Sequence, residues 1–351
     1  LPDVDIIDGT DNFNTVLYTG NDTGDTAISG VGFSPDWLWL KSRTSTNSHA
    51  LFDAVRGSTS NGFLRIATNL TTEEQDNTNV ASLDADGFTL GSNTGTNGSG
   101  KSYVAWNWLA GTAFSNDASA TSVGTIDSAG QVNTKAGFSI ISYTGTGSAG
   151  TIKHGLSAAP EMLIVKRRAV ADNWPVYHSS NTSASETDSL FLNKTDATAD
   201  LPYWNDTAPT STVFSLGSNN IVNNSGEAFI CYAFHSVEGY CKVGSFVGNG
   251  NADGTFVYTG HRPSFLLIKR TDANGTNWWI FDNKRSTFNV VNDGIITNGS
   301  DAEFADNSSL LIDFLSNGFK VRNTYGDLNT SGANHIFLSF ADQPFKFSNA
   351  R

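Results

Sequence analysis

The sequence predicts an all-β protein made of three tandem related β-sandwich modules of jelly-roll or lectin-like type. Three observations carry that expectation. A strand word occurs three times, as Pro35-Asp36-Trp37-Leu38-Trp39-Leu40-Lys41, Pro160-Glu161-Met162-Leu163-Ile164-Val165-Lys166 and Pro263-Ser264-Phe265-Leu266-Leu267-Ile268-Lys269. The words around each copy keep their spacing from the proline. The composition is rich in Ser, Thr, Asn and Gly, has a single Met, and shows no long helix-forming stretch.

The repeated word is too short for a helix, and its β-branched and aromatic residues suit a strand. Proline belongs at the first position of such a strand, where it removes no interior ladder bond. Apolar residues on both faces place this strand at the centre of something layered. Pro35, Trp37 and Lys41, Pro160, Met162 and Lys166, and Pro263, Phe265 and Lys269 are the signature of the repeat. Seventeen residues before each proline stands an aromatic, Tyr18, Tyr143 or Phe246. After it come a second strand ending at Asp53, His178 or Asp282, then Phe88, Phe214 or Phe319 in a third, then a closing strand beyond Gly100, Gly226 or Gly332. Spacing kept this closely marks three copies of one unit of about 100 residues.

In order, residues 1–12 are an acidic lead-in. Module one spans 13–110, with strands FNTVLY, TAIS, DWLWLK, HALFDAV, FLRIA, GFTL and SYVAWNW. Seven short strands separated by turns fit a two-sheet sandwich. Residues 111–136 form a small-residue connector with room for one or two edge strands. Module two spans 137–242, and the brief link before module three predicts close packing of the two. Module three spans 243–351 and ends in a tail with two apolar anchors, Phe345 and Phe347.

The net charge of −13 argues against a nucleic-acid phosphate track and an anionic membrane surface. No apolar run is long enough for a membrane span. Cys231 and Cys241 form no disulfide framework or metal pattern. Cys231 aligns with Ala105, which predicts a small core residue. The chain starts without Met, and an upstream part is expected.

Several motifs need weighing. Gly95-Thr96-Asn97-Gly98-Ser99-Gly100-Lys101-Ser102 matches GxxxxGK[ST]. A phosphate loop needs a helix after it, and here a strand follows. A glycine-rich hairpin turn is the expectation. Asp84-Ala85-Asp86-Gly87 and Asp253-Gly254 read as turns; no cofactor is expected, with Ca²⁺ left open at the Asp/Asn-rich loops. Trp37, Trp39, Trp106 and Trp108 are replaced by other apolar residues in the sister modules, which makes them core. Trp174 and Trp278 share a position with His49, in the core or at its rim. Tyr203, Trp204, Trp279 and Tyr325 stand outside the shared pattern and are the candidate ligand-binding residues, as platforms for sugar rings or as ordinary packing. Asp53, His178 and Asp282 occupy one repeat position, so they need not face each other. The six histidines show no metal-ligand spacing, and there is no GxSxG. No catalytic or metal site is expected, although a pair of distant carboxylates could serve glycoside hydrolysis.

The runs YTGTGSAGTIKHGLSAAPEMLIVKRR, NDTAPTSTVFSLG, SGEAFICYAFHSVEGYCKVGSFVGNGNADGTFVYTGHRPSFLLIKRT and DFLSNGFKVR, with GFSPDWLWLKSRT, LFDAVRG and DADGFTLG in module one, resemble a family of uncharacterised tailed-bacteriophage proteins. They are common in marine phages, are named as tail or tail-fibre proteins, and often carry a lectin-like sandwich upstream. The resemblance covers nearly the whole chain. It implies a non-enzymatic virion structural protein in the tail or its appendages, and assigns no catalytic residues. Two classes of function follow. One is an attachment module that binds host-surface glycan or a receptor; the other is a passive decoration of capsid or tail whose partners are other virion proteins. A polysaccharide depolymerase is a third reading. A homo-oligomer is expected, with a trimer favoured, unless the three modules form an internal pseudo-threefold body.

Overall fold

In each module the opening, closing, proline and following strands hydrogen-bond in that order, all antiparallel. In module one these are Phe13–Thr19, Ser102–Trp108, Trp37–Ser42 and Ala50–Asp53. In module two they are Phe138–Thr144, Ala228–Phe234, Met162–Arg167 and Pro175–His178, and in module three Cys241–Val247, Asn334–Ala341, Pro263–Arg270 and Trp278–Asp282. The computed structural model describes residues 9–341, so most of the lead-in and the anchors Phe345 and Phe347 lie outside the described residues. Within them the chain is all-β, with helices of one turn only.

A smaller antiparallel sheet accompanies each large one. It is Thr26–Ser29, Gly87–Leu90 and Val80–Asp84 in module one, and Gly150–Lys153 with Val213–Leu216 in module two. In module three it is Phe256–Tyr258, Gly318–Val321 and Ile312–Leu315. The connector contributes two strands, Thr112–Asn116 and Ser128–Asn133, which extend the second large sheet beyond its opening strand. Two details differ from the sequence reading. The proline leads its strand only in module three; in the other two the strand begins two residues later. The FLRIA segment is not a full strand: Gly62–Phe63 pairs briefly, and Arg65 and Ile66 make single bridges to Gln75 and Leu51.

The alternation of the proline strand decides the packing. Leu38 and Leu40 share a cluster with Phe88, Leu90 and Ala105, between large and small sheet. Leu163 and Val165 do the same with Phe214, Leu216 and Cys231, and Leu266 and Ile268 with Phe319 and Val321. The intervening residues face the other way. Trp37, Trp39, Met162, Ile164, Phe265 and Leu267 enter one cluster common to all three modules, joined by Trp106, Trp108, Tyr232, Phe234, Leu338 and Phe340 of the closing strands. Ring centroids of Trp37 and Tyr232 lie 4.6 Å apart, those of Trp108 and Phe265 5.4 Å, and those of Phe234 and Phe340 6.0 Å. Each module therefore touches both others through its inner sheet face. Burying a large apolar side chain stabilises by about 1.5–3 kcal/mol. No module could bury these inner faces without its neighbours.

A second repeat is a polar staple. Asn97, Asn223 and Asn329 are fully buried in the one-turn helices before the closing strands. Their amides donate to Thr23 O and Gly91 O, to Ser148 O and Gly217 O, and to Asn251 O and Asn323 O. Their carbonyl oxygens accept from the N–H of Asn21, Thr146 and Asn249. Each thus ties the loop after the opening strand to the small sheet. Three residues on, Gly100, Gly226 and Gly332 take φ of +71°, +77° and +76°, which glycine alone adopts cheaply. The phosphate-loop lookalike is the first of these staples. Its helix, Thr94–Asn97, precedes Lys101, and the Gly98 N–H is taken by the Tyr103 hydroxyl.

Candidate functional site

The signature lysines mark the module boundaries. Lys41, Lys166 and Lys269 are buried, and each ammonium donates to two oxygens of its own module (both main-chain for Lys41 and Lys166, Thr276 O and Oγ1 for Lys269) and to one main-chain oxygen of another. Lys41 reaches Ser300 O, Lys166 reaches Thr71 O and Lys269 reaches Thr195 O. Module one thus holds three, two holds one and three holds two, which closes a ring. Burial pushes each ammonium down to about 8, against the pull of nearby carboxylates.

Other repeat positions trace the same ring. The main-chain N–H groups of Glu303, Glu74 and Thr198 donate to the carbonyls of Arg43, Arg168 and Thr271. At two boundaries the side chains also pair, with Arg43 bidentate on Glu303 and Arg168 bidentate on Glu74. At the third, Thr271 and Thr198 stand in place of both charges. His49, Trp174 and Trp278 share a position, and all three are buried. The Trp174 and Trp278 indoles donate to Leu70 O and Phe191 O, and His49 Nε2 contacts Ile296 O.

Asp53, His178 and Asp282 run along the ring in the opposite sense. Asp53 accepts from the Tyr232 hydroxyl, Asp282 from the Trp106 indole, and His178 Nε2 contacts Phe337 O. Both carboxylates are fully buried and paired with Arg56 or Arg285. They lie at different boundaries and neither faces solvent. Here they act as anchors between modules.

The four candidate aromatics are placed differently from a sugar platform. Trp204 and Trp279 are buried in the module-two and module-three cores, and their indoles donate to Asp188 O and Asp327 Oδ2. Tyr203 packs with Trp204 in the same core. Tyr325 is half-buried edge-on against Trp279. Strand alternation explains the pair Trp278–Trp279: one enters the shared cluster and the other the module core, so both faces are taken.

The turn carboxylates are engaged by the protein. Asp84 accepts from Ser82 and Thr89, Asp86 from the N–H groups of Gly30 and Gly32, and Asp253 pairs with Lys320 and Arg322. Among the described residues no cluster of three or more His, Cys, Asp or Glu is placed to hold a metal ion. Cys231 and Cys241 are buried and unpaired, and burial pushes the Cys231 thiol up.

The open feature lies on module three. Val247, Phe256 and Tyr258 are 52%, 45% and 63% exposed, three of the few large hydrophobics so exposed among the described residues. Phe256 and Tyr258 stand on the edge strand of the small sheet. Beside them, between that edge and the opening strand of the large sheet, runs a groove of about 330 Å³. Lys242, Gly244, Phe246, Val257 and Phe337 line it, with Glu161 and Ser180 of module two at one end. The Glu161 carboxylate accepts from the Ser236 N–H.

A model for a domain of unknown function, DUF7483, matches residues 8–344. The chain belongs to the DUF7483 family. No curated protein and no solved structure matches it. Within this DUF7483 domain the exposed pair breaks the internal repeat. By strand register Phe256 corresponds to Ala27 and Thr151, and Tyr258 to Ser29 and Lys153. The sequence reading missed both residues. Setting the three copies of this strand side by side would have found them.

Proposed function

We propose that each module is a two-layer β-sandwich and that the chain is a non-enzymatic virion component. In this reading it belongs to a bacteriophage tail fibre, spike or related appendage, and contributes to attachment at the host surface. The resemblance to tailed-phage proteins supports the setting. The pairing of a large and a small sheet around one apolar cluster in every module supports the sandwich. The observation that carries a binding role is the aromatic face of module three. Phe256 and Tyr258 stand exposed beside a groove, at positions where the sister modules carry small or polar residues. An exposed apolar patch rimmed by polar residues marks an interaction surface. The shared core gives that face a stiff base.

Two measurements test this. Antibody labelling of intact particles should mark the distal part of a tail appendage; label spread over the capsid or along the shaft favours a passive decoration. Binding of the purified chain to host cells should fall in the Phe256→Ala/Tyr258→Ala double variant, and unchanged binding removes the face from the reading. Trimerisation is a separate expectation, and sedimentation of the full chain as a stable monomer would remove it.

A further inference from the structure

We propose that the exposed edge of module three takes an extended polypeptide strand from a partner protein, by addition to the small sheet. The inference rests on the binding face proposed above and names what that face holds. Two observations carry it.

The first is the direction of the main-chain groups. Thr255 O and Thr259 N bond toward the neighbouring Gly318–Val321 strand. Val257 pairs with Phe319 in the same register. Antiparallel pairing alternates. The N–H and C=O of Phe256 and Tyr258 therefore point away from the sheet, along an edge that has no neighbouring strand among the described residues. Unpaired groups on an edge are a template for another strand.

The second is the sister edge in module two, which is already covered. There the connector lies along Gly150–Lys153. Thr125 N and Ile126 N donate to Thr151 O at 2.8 and 3.1 Å, and Thr151 N donates to Thr125 Oγ1 at 2.8 Å. Ile126 forms a parallel bridge with Ile152, and its side chain is buried in the module core. Thr151 is the counterpart of Phe256, so the position that receives this short bridge in module two is open in module three among the described residues. Among the described residues module one leaves this edge uncovered too, but presents only Ala27 and Ser29 there.

The fitting partner is therefore a strand running parallel to Phe256–Tyr258. It would exchange hydrogen bonds with the Phe256 main chain and set a β-branched residue, as Ile126 is set, into the groove beside Phe246 and Val257. Its outward side chains would lie against the Phe256 and Tyr258 rings. Main-chain bonds supply affinity in this mode, and alternate side chains supply selectivity.

A random peptide library panned against the purified chain tests this, with the enriched peptide then titrated against variants. Tyr258→Pro removes the outward N–H while leaving the bonds to the inner strand in place. Phe256→Ala/Tyr258→Ala removes the rings. The expected result is a peptide with alternating β-branched residues. Its affinity should hold within about twofold in Tyr258→Phe and fall roughly tenfold or more in both other variants, at unchanged melting temperature. If Tyr258→Pro does not fold, the double alanine variant decides. No enriched peptide, or one indifferent to these variants, overturns the inference. So does self-association lost in the double variant, which makes the occupant a second copy. A glycan bound through the same rings with no peptide bound also overturns it, while leaving the attachment reading standing.

Discussion

Lowering the pH from 8 to 5 should unfold this protein through histidines that the fold keeps neutral. His49, His154, His178, His261 and His335 are all buried. Burial is the first cause in each, and it holds His154, His178 and His335 near about 4, His261 near about 3 and His49 well below its ordinary value. Three are also fixed by partners. Nδ1 of His49, His154 and His178 accepts from the Trp39 indole, Leu156 N and Ser180 N, while Nε2 faces a carbonyl. The tautomer follows from those partners, and a proton on Nδ1 would point at a donor. These pKa values are lower in the folded than in the unfolded state, so the unfolded chain binds more protons between pH 6.5 and about 4. The histidine contribution to stability is complete above pH 6.5 and is lost as pH falls through that window. At pH 5 each unfolded imidazole gains about 2 kcal/mol over one kept neutral, from roughly 1.5 units at about 1.36 kcal/mol each. The four groups His154, His178, His261 and His335 together give about 8 kcal/mol, within the range of the whole stability of an ordinary domain, and His49 adds in the same direction. Urea titrations at half-unit steps from pH 8 to 4.5 would measure it. A midpoint that stays flat down to pH 5 would refute the reasoning.

At alkaline pH the lysines act with a slope of the same sign. Lys41, Lys166 and Lys269 fall to about 8 on folding, so their term favours the folded state as pH rises from 8 toward 10.5. Above pH 10 the buried phenols Tyr18, Tyr143, Tyr232 and Tyr240, raised mainly by burial, reverse that gain; thermal melts should peak at about pH 10. Lys166→Met strands Thr71 O, Arg167 O and Val170 O and should cost about 1–3 kcal/mol in a denaturant titration at pH 7. Trp37→Ala opens the shared cluster and should cost about 3–5 kcal/mol; calorimetry should still show one transition, and three separate ones would contradict the common core. Thr271→Arg with Thr198→Glu should install at the third boundary the ion pair of the other two, with a double-mutant coupling of about 1–3 kcal/mol.

Much of the fold was legible because the chain states it three times. The proline word, Phe88, Phe214 and Phe319, and the closing strands are local patterns, and a period of two assigns their faces. The staple was legible as well: Asn97-Gly98-Ser99-Gly100, Asn223-Asn224-Ser225-Gly226 and Asn329-Thr330-Ser331-Gly332 repeat the word N-x-S-G, which a nucleotide-loop lookalike obscured in the first copy. What the sequence withheld was which outer surface each sheet face meets. Trp279 looked available because it breaks the repeat, yet a sheet covered on both sides leaves no free face. Phe256 and Tyr258 read as ordinary alternating strand residues, because nothing local distinguishes an edge left open from one covered by a connector.

The boundaries explain why an open edge can persist here. An exposed strand is usually a liability, because a slipped or swapped pairing competes with the native one. In this chain each large sheet is fixed from its inner face by the shared aromatics and at its flank by a lysine that touches two modules. A Glu–Arg or Thr–Thr contact repeats at equivalent places round the ring. Register is therefore set on the side away from the edge, and the small sheet of module three is held by Val257, Phe319 and Val321 whether or not its edge is filled. The connector covers one of the equivalent edges with a short parallel bridge, so extended chain fits there. The third edge alone combines the same open main chain with two large rings. Selection for stability of the body alone favours short or polar residues at those positions, as in Ala27, Ser29, Thr151 and Lys153. Phe256 and Tyr258 make sense when a second surface covers them.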